Sequence, residues 1–207
     1  MRPLAAVLLV AVLAGAGGWV GAAVVPAPFA STKALRAGLS RYGRAEAALR
    51  LSRHDALSGR TLVQRGRLIL ERPRLARLEL EDGERLTLRE DGGDWLQPAV
   101  HQLVRAGARS AGGALVWWAV LLDPQDGGIQ ESRTGPREYT LTQAGARAAP
   151  AQRIELGPDG LPRRLTVEIG PGEQVEYLLL RWRFSRARGP ADFHLAAPAG
   201  FEVVEMP

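Results

Sequence analysis

The feature that most constrains the fold is an alternation of leucines with charged residues between positions 59 and 98. Leu78 and Leu80 alternate with arginine and glutamate, and Leu86 and Leu88 alternate in a similar way a few residues later. A period of two places successive side chains on opposite sides of an extended chain. The segment therefore predicts β-strands that each have one buried and one solvent-facing side.

Turn residues separate these predicted strands. Asp82 and Gly83 lie between the two leucine pairs, and an Asp-Gly pair is typical of a tight hairpin because both residues tolerate positive φ. A second turn at residues 91–93 leads directly to Trp95. The turns predict a meander of adjacent antiparallel strands.

Arg72 stands at the end of an apolar row. Leu68, Leu70 and Arg72 are two residues apart, so a regular strand places them on one face. Pro73 ends the pairing because it has no N–H. Two interpretations stay open. Arg72 either reaches water at a strand end, or it is a rim cation that holds a mobile element by its backbone carbonyls.

The chain before the meander begins with an apolar leader. Residues 4–14 form an unbroken apolar run after Arg2, and small residues follow at 21–23. This pattern predicts an export signal over residues 1–23, with an uncleaved anchor as the alternative. Either interpretation places the remainder, 24–207, outside the cytoplasm as a single domain. The chain has no cysteine, which excludes disulfides and a lipidated N-terminal cysteine.

Two further segments precede the meander. Ser31 and Thr32 can cap a helix in which Leu35 and Leu39 recur at helical spacing. Residues 45–54 fit a helix, because they are rich in alanine, or a first strand.

Residues 99–122 interrupt the strand pattern. Val100, Leu103 and Val104 recur at helical spacing, and residues 115–122 follow as a run of eight apolar side chains. Such a run is too short to cross a bilayer. It is either a core helix or strand, or a lid packed over an apolar opening.

The C-terminal half returns to strands. Leu178, Leu180, Trp182 and Phe184 are two residues apart and are predicted to share one face. Many strands joined by short turns, with few helices, predict a large curved antiparallel sheet or a partly closed barrel.

Residues that carry chemistry show no catalytic spacing. His54, His101 and His194 lie in unrelated segments, and no nucleophile elbow, phosphate-binding loop or dinucleotide fingerprint occurs. The arginines are dispersed, whereas a nucleic-acid interface clusters them on one face with stacking aromatics. We therefore expect a protein that is not an enzyme and that binds no metal, cofactor or nucleic acid.

The order of these features resembles the outer-membrane lipoprotein carrier family, the LolA-type proteins. Arg72-Pro73 closes a strand, Asp-Gly-rich turns lead to Trp95 and Pro98, and residues 193–204 resemble that family's closing strand and Pro-x-Gly turn. The resemblance implies an α+β fold, a curved, incompletely closed antiparallel β-barrel (a half-barrel) with a few helices forming a lid.

The resemblance also implies a function. The family's members are monomeric periplasmic carriers that take acylated lipoproteins from an inner-membrane ABC transporter to an outer-membrane receptor. The first strand expected for the family is here residues 45–54, which contain no aromatic residue and no glutamine. A divergent relative that carries a glycolipid or another amphiphile is therefore a second expectation for the cargo.

The same resemblance assigns roles to residues. Arg72 occupies the place of the arginine that contacts the lid, and its hydrogen bonds would favour the closed form. The acyl-chain-binding surface is assigned to Leu68, Leu70, Leu78, Leu80, Leu86, Leu88, Trp95, Leu178, Leu180 and Trp182. The lid is assigned to Leu103, Leu115, Trp117, Trp118 and Leu121.

An alternative function belongs to a different class. A sensor or binding module of the same architecture would recognise a lipid, another amphiphile or a regulatory partner protein in the periplasm. Known sensors of this shape carry a further C-terminal domain. This sequence ends at Pro207 directly after the predicted closing strand, which favours the carrier.

Overall fold

The structure is a computed structural model, and it describes most of the chain after the leader. The described residues are 29–54, 59–108, 121–122, 129–143, 152–170 and 173–206. The predicted export signal at 1–23 and the predicted lid residues Leu115, Trp117 and Trp118 lie outside them. Among the described residues, no helix has both the length and the apolar character needed to cross a bilayer.

The main elements of the described residues are an α-helix and a series of β-strands. The helix is α1 (Lys33–Tyr42). The strands are β1 (Arg44–His54), β2 (Thr61–Glu71), β3 (Leu75–Leu80), β4 (Arg85–Arg89), β5 (Gly92–Gln97), β6 (Gln102–Gly107), β7 (Ile129–Arg133), β8 (Glu138–Gln143), β9 (Gln152–Leu156), β10 (Pro162–Gly170), β11 (Glu173–Ser185) and β12 (Glu202–Met206). Short 3-10 turns cover Ala30–Thr32, Pro98–Val100 and Pro190–Phe193.

All of these strands belong to one sheet, in the order β12-β6-β5-β4-β3-β2-β1-β11-β10-β9-β8-β7. Neighbours are antiparallel except β12, which runs parallel to β6. The end strands of the order, β12 and β7, are not paired with each other, so the sheet does not close. The predicted incompletely closed antiparallel barrel with few helices is confirmed.

The meander is confirmed with one change in its first turn. A two-residue Asp-Gly turn is wrong here, because β3 ends at Leu80 and β4 begins only at Arg85. Gly83 alone takes positive φ, at 88°. The Asp82 carboxylate instead accepts a hydrogen bond from the Glu84 N–H at 3.1 Å, as short polar residues do in wider turns.

The alanine-rich segment is a strand at the centre of the sheet. β1 pairs with β2 on one side and β11 on the other. Its Ala45 and Ala47 are fully buried in the cluster that includes Leu35 and Leu39 of α1. Gly38 of α1 also lets the helix lie close to the sheet, because a Cβ there would lie 2.2 Å from the Phe184 ring. The alanines therefore reflect helix packing on the sheet and do not extend the helix.

A β-bulge in β11 changes which side chains share a face. Arg181 has φ of 54°, and the pairing with β1 shifts register beside it. An extra residue in one strand reverses the alternation beyond it. Leu178 and Leu180 therefore lie on the opposite face from Trp182 and Phe184, and the prediction that all four share a face is wrong.

We call the two faces of the sheet inner and outer. The inner face carries Leu68 and Leu70, together with α1. The outer face carries Ile69 and Glu71 and is covered by the C-terminal segment, residues 186–201. Phe193 of that segment is fully buried against Ile69 and Leu75.

Two buried carboxylates fasten the C-terminal segment to the outer face. Glu71, 1% exposed, accepts hydrogen bonds from the Arg188 and Gly189 N–H groups at 3.0 and 2.6 Å. It also pairs with the buried guanidinium of Arg44 at 3.2 Å. Asp94, 3% exposed, accepts the Leu195 N–H at 2.9 Å and is held by Arg89. Charged hydrogen bonds in a low-dielectric setting make this attachment strong.

Glu71→Gln is predicted to lower the free energy of unfolding by about 3 kcal/mol, because the buried Arg44 loses its buried carboxylate and keeps the partly exposed Asp192 as its anionic partner. Urea unfolding followed by circular dichroism measures the change. The matched control is Glu155→Gln, which removes a half-exposed ion pair with Arg164 and should cost less than about 1 kcal/mol. Equal losses in the two variants would contradict the role given to Glu71.

Candidate functional site

The inner face carries a continuous apolar row across four strands. Leu68 pairs with Leu78, Leu78 with Leu86, and Leu86 with Trp95. Directly paired residues on antiparallel strands point to the same face, so these four side chains are neighbours. The row crosses β2 to β5 without a charged residue.

Exposure changes along this row. Leu68 and Leu70 are fully buried, and Leu78 and Leu80 are 7% and 9% exposed. Leu86, Leu88 and Trp95 are half-buried. The apolar surface therefore runs from a covered centre towards an accessible margin.

Helix α1 and one further pair of leucines cover the buried end. Leu35 and Leu39 of α1 and residues Leu121 and Leu122 form one buried cluster with Leu68 and Leu70. These contacts are apolar, and apolar packing is non-directional. A ligand that reaches Leu68 must displace part of this cover.

The predicted acyl-chain-binding residues divide between the two faces. Eight share the inner face: Leu68, Leu70, Leu78, Leu80, Leu86, Leu88, Trp95 and Trp182. Leu178 and Leu180 do not, because they precede the bulge; Leu178 pairs with Arg50 and Arg164 on the outer face. Assigning those two leucines to the apolar row is wrong.

The same bulge places residues on the inner face that the sequence pattern did not indicate. Tyr177 packs against the inner cluster and Leu179 is 2% exposed within it. Burial raises the pKa of the Tyr177 hydroxyl above its ordinary value. Strict alternation gave no way to find these residues, since the register shift at Arg181 is set by pairing with β1.

The two predicted lid residues that the structure describes have different positions in the fold. Leu103 is not helical: it lies in β6, fully buried on the outer face with Leu96 and Leu195. The helical spacing that suggested a lid helix there is wrong, because β6 pairs with both β5 and β12. Leu121 is fully buried in the inner cluster, a position that fits both the core and the lid interpretations of residues 115–122.

Arg72 contacts helix α1. Its Nη1 donates to Ser40 Oγ at 2.8 Å, and its backbone N–H donates to the Gly43 carbonyl at 3.1 Å. The residue is exposed, as the strand-end interpretation expects. Its guanidinium thus bonds the covering helix through a hydroxyl, not through a backbone carbonyl.

The opposite end of the helical segment is fixed by an acidic side chain from a distant strand. Glu131 of β7 accepts the N–H groups of Ala30 and Ser31 at 2.8 and 3.0 Å. Ser31 and Thr32 make no side-chain cap, so the capping prediction for them is wrong. Instead, both hydroxyls are buried without a partner among the described residues.

A pocket of about 210 Å³ lies between α1 and the end of β2. Its lining combines basic, hydroxyl and apolar groups. The residues are Arg36, Leu39, Ser40, Arg72, Pro73, Arg74 and Leu122. Since Leu39 and Leu122 also belong to the inner cluster, the pocket adjoins the apolar layer.

A polar contact holds Trp95 at the accessible margin. The indole Nε1 donates to Glu84 Oε1 at 2.6 Å. Burial raises the pKa of the Glu84 carboxyl above its ordinary value, opposed by this hydrogen bond. Trp95 therefore presents a ring of fixed orientation beside Leu86.

Comparison with known proteins gives distant matches only. No family model and no curated protein matches the chain. Among solved structures, it is similar to an uncharacterized conserved protein from Thermus thermophilus, with 15% identity, 85% of this chain and 97% of that chain covered, and a TM-score of 0.49.

Two other solved structures are similar to the chain. One is a LolA superfamily protein from Nitrosomonas europaea, with 8% identity, 79% and 97% coverage and a TM-score of 0.47. The other is a putative outer membrane lipoprotein-sorting protein domain from Vibrio parahaemolyticus, with 10% identity, 78% and 95% coverage and a TM-score of 0.44. The first of these two is of the family that the sequence resembles. Similarities this distant do not indicate a function for this chain.

Proposed function

We propose that this protein binds the acyl chains of an amphiphile on its inner face and carries it between membranes outside the cytoplasm. The observation that carries the proposal is the uncharged row from Leu68 to Trp95, which passes from fully buried to half-buried. Such a row suits a hydrocarbon chain, because it offers apolar contact and demands no hydrogen bond in return. The function is one of binding, not catalysis.

The energetics favour a covered site. Each methylene that leaves water gains about 0.8 kcal/mol, so an acyl chain needs an apolar environment close to that of a bilayer. Release must still be possible without an energy source in the periplasm. A cover held by apolar contacts meets both needs, since acyl chains replace the contacts that Leu39 and Leu122 make when the site is empty.

The more specific role of a lipoprotein carrier rests on the resemblance to the LolA-type family. In that role the cargo is an acylated lipoprotein, an inner-membrane ABC transporter supplies it and an outer-membrane receptor accepts it. The first strand differs from the family's pattern, so a glycolipid or another amphiphile is the alternative cargo. The export signal at 1–23 is part of this proposal, because the carrier works in the periplasm.

Arg72 is proposed to favour the closed form. Its exposed hydrogen bond to Ser40 is worth about 1 kcal/mol or less, which is weak enough to break when cargo enters. Arg72→Leu should therefore raise the rate of acyl-chain dissociation, measured by stopped-flow release of a fluorescent fatty acid, relative to Arg41→Leu on the exposed side of α1. Equal release rates in the two variants would remove Arg72 from the mechanism.

Binding at the inner face predicts that the same leucine substitution lowers fatty-acid affinity on the inner face and not on the outer face. Leu86→Gln places an amide in the apolar row and should weaken binding of a fluorescent fatty acid about tenfold, because the amide must be desolvated. Leu178→Gln makes the same change at a half-buried leucine on the outer face and should leave affinity within about twofold, as expected for a substitution remote from the ligand.

The controls for this pair are circular dichroism and urea unfolding, which exclude misfolding as the cause. Equal affinities in the two variants would contradict binding on the inner face. Native mass spectrometry of the protein purified from its own periplasm is the complementary test. A stoichiometric protein partner with no lipid would favour the sensor function instead.

A further inference from the structure

One of the arginines that line the pocket beside α1, Arg36, has a guanidinium donor without a partner among the described residues. Arg36 Nη1 is buried and forms no hydrogen bond with any described residue. A buried, charged donor left unpaired is costly, more so than a neutral one. Arg36 is therefore placed to gain from an acceptor that enters the pocket.

The rest of the pocket wall reinforces this charge. Arg72 and Arg74 line the pocket with Arg36, and none of the lining residues that the structure describes is acidic. Glu71, which precedes Arg72 in the sequence, lies on the outer face, where Arg44 and the C-terminal segment satisfy it. The described part of the lining is therefore positive, and guanidinium groups match phosphate and carboxylate oxygens in geometry.

The size and position of the pocket limit what it can hold. Its volume of about 210 Å³ is below the range of about 300–1,000 Å³ that is usual for drug-sized ligands. A small anionic group fits it, whereas a whole lipid does not. Leu39 and Leu122 form its apolar wall and are also part of the inner cluster, so a ligand in the pocket adjoins the acyl-chain surface.

We infer that this pocket binds the anionic headgroup, a phosphate or a carboxylate, of the amphiphile whose acyl chain lies on the inner face. The inference rests on the proposed function and specifies its cargo as an anionic amphiphile. Arg36 is the principal ligand, and Arg72 is released from Ser40 to become a second one. The pocket thereby couples headgroup binding to the contact that favours the closed form.

The test compares two single-chain lipids with the same acyl group, the anionic myristoyl lysophosphatidylglycerol and the uncharged monomyristoylglycerol, which has no phosphate, below their micelle concentrations. Isothermal titration of the folded chain should give about tenfold tighter binding of the anionic lipid, the size expected for charged hydrogen bonds. Arg36→Gln should reduce this preference to about twofold or less and leave the affinity for monomyristoylglycerol unchanged. Arg41→Gln removes an equal charge from an exposed position on the same helix and should preserve the preference.

Inorganic phosphate distinguishes a headgroup from a free anion. Phosphate alone should bind weakly and compete only with the anionic lipid. If both lipids bind equally and Arg36→Gln changes nothing, the inference is overturned while the proposed function stands. If neither lipid binds, the proposed function fails as well, and phosphate binding in that case would assign the pocket to a free anion. If Arg41→Gln abolishes the preference as Arg36→Gln does, net charge and not the pocket is responsible, which also overturns the inference.

Discussion

The two faces of the sheet are covered by different kinds of interaction, and the rest of the structure depends on this difference. On the outer face, the carboxylates of Glu71 and Asp94 bind backbone N–H groups of the C-terminal segment. Such bonds are directional, and a buried carboxylate that lost them would lose part of its pairing and keep its arginine partner, Arg44 for Glu71 and Arg89 for Asp94. On the inner face, the leucines of α1 meet those of the sheet through apolar packing. Hydrocarbon from another molecule can replace packing of this kind, whereas it cannot replace a charged hydrogen bond.

Under the proposed function, this asymmetry lets a single sheet be both stable and able to bind. The outer attachment spans strands β2 to β5, the same strands that carry the apolar row on the inner face. The row is therefore supported from behind while its own cover stays exchangeable. Glu131 binds the turn just before helix α1, and Arg72 binds Ser40 near the C-terminal end of the helix. The helix can therefore be displaced in part while it stays attached to the sheet.

Much of the fold could be predicted from the sequence because alternation and turn residues act locally. The strands around Leu78 and Leu86, the helix around Leu35 and the open antiparallel sheet follow from such signals. The bulge at Arg181 could not be predicted, because it arises from register with β1, more than a hundred residues earlier in the chain. It moves Leu178 and Leu180 to the outer face and brings Tyr177 and Leu179 inward. Leu103 was misassigned for a related reason: a short apolar spacing fits a helix and a buried strand equally well.

The most direct test of the account is photo-crosslinking of the folded protein with a diazirine-bearing fatty acid, followed by mass spectrometry of the labelled peptides. The account predicts saturable labels in β3, β4 and β5, at inner-face positions such as Leu78, Leu86 and Trp95. Competition by unlabelled fatty acid should remove them. Labels confined to the C-terminal segment, residues 186–201, or labels that no competitor reduces, would contradict binding of hydrocarbon on the inner face.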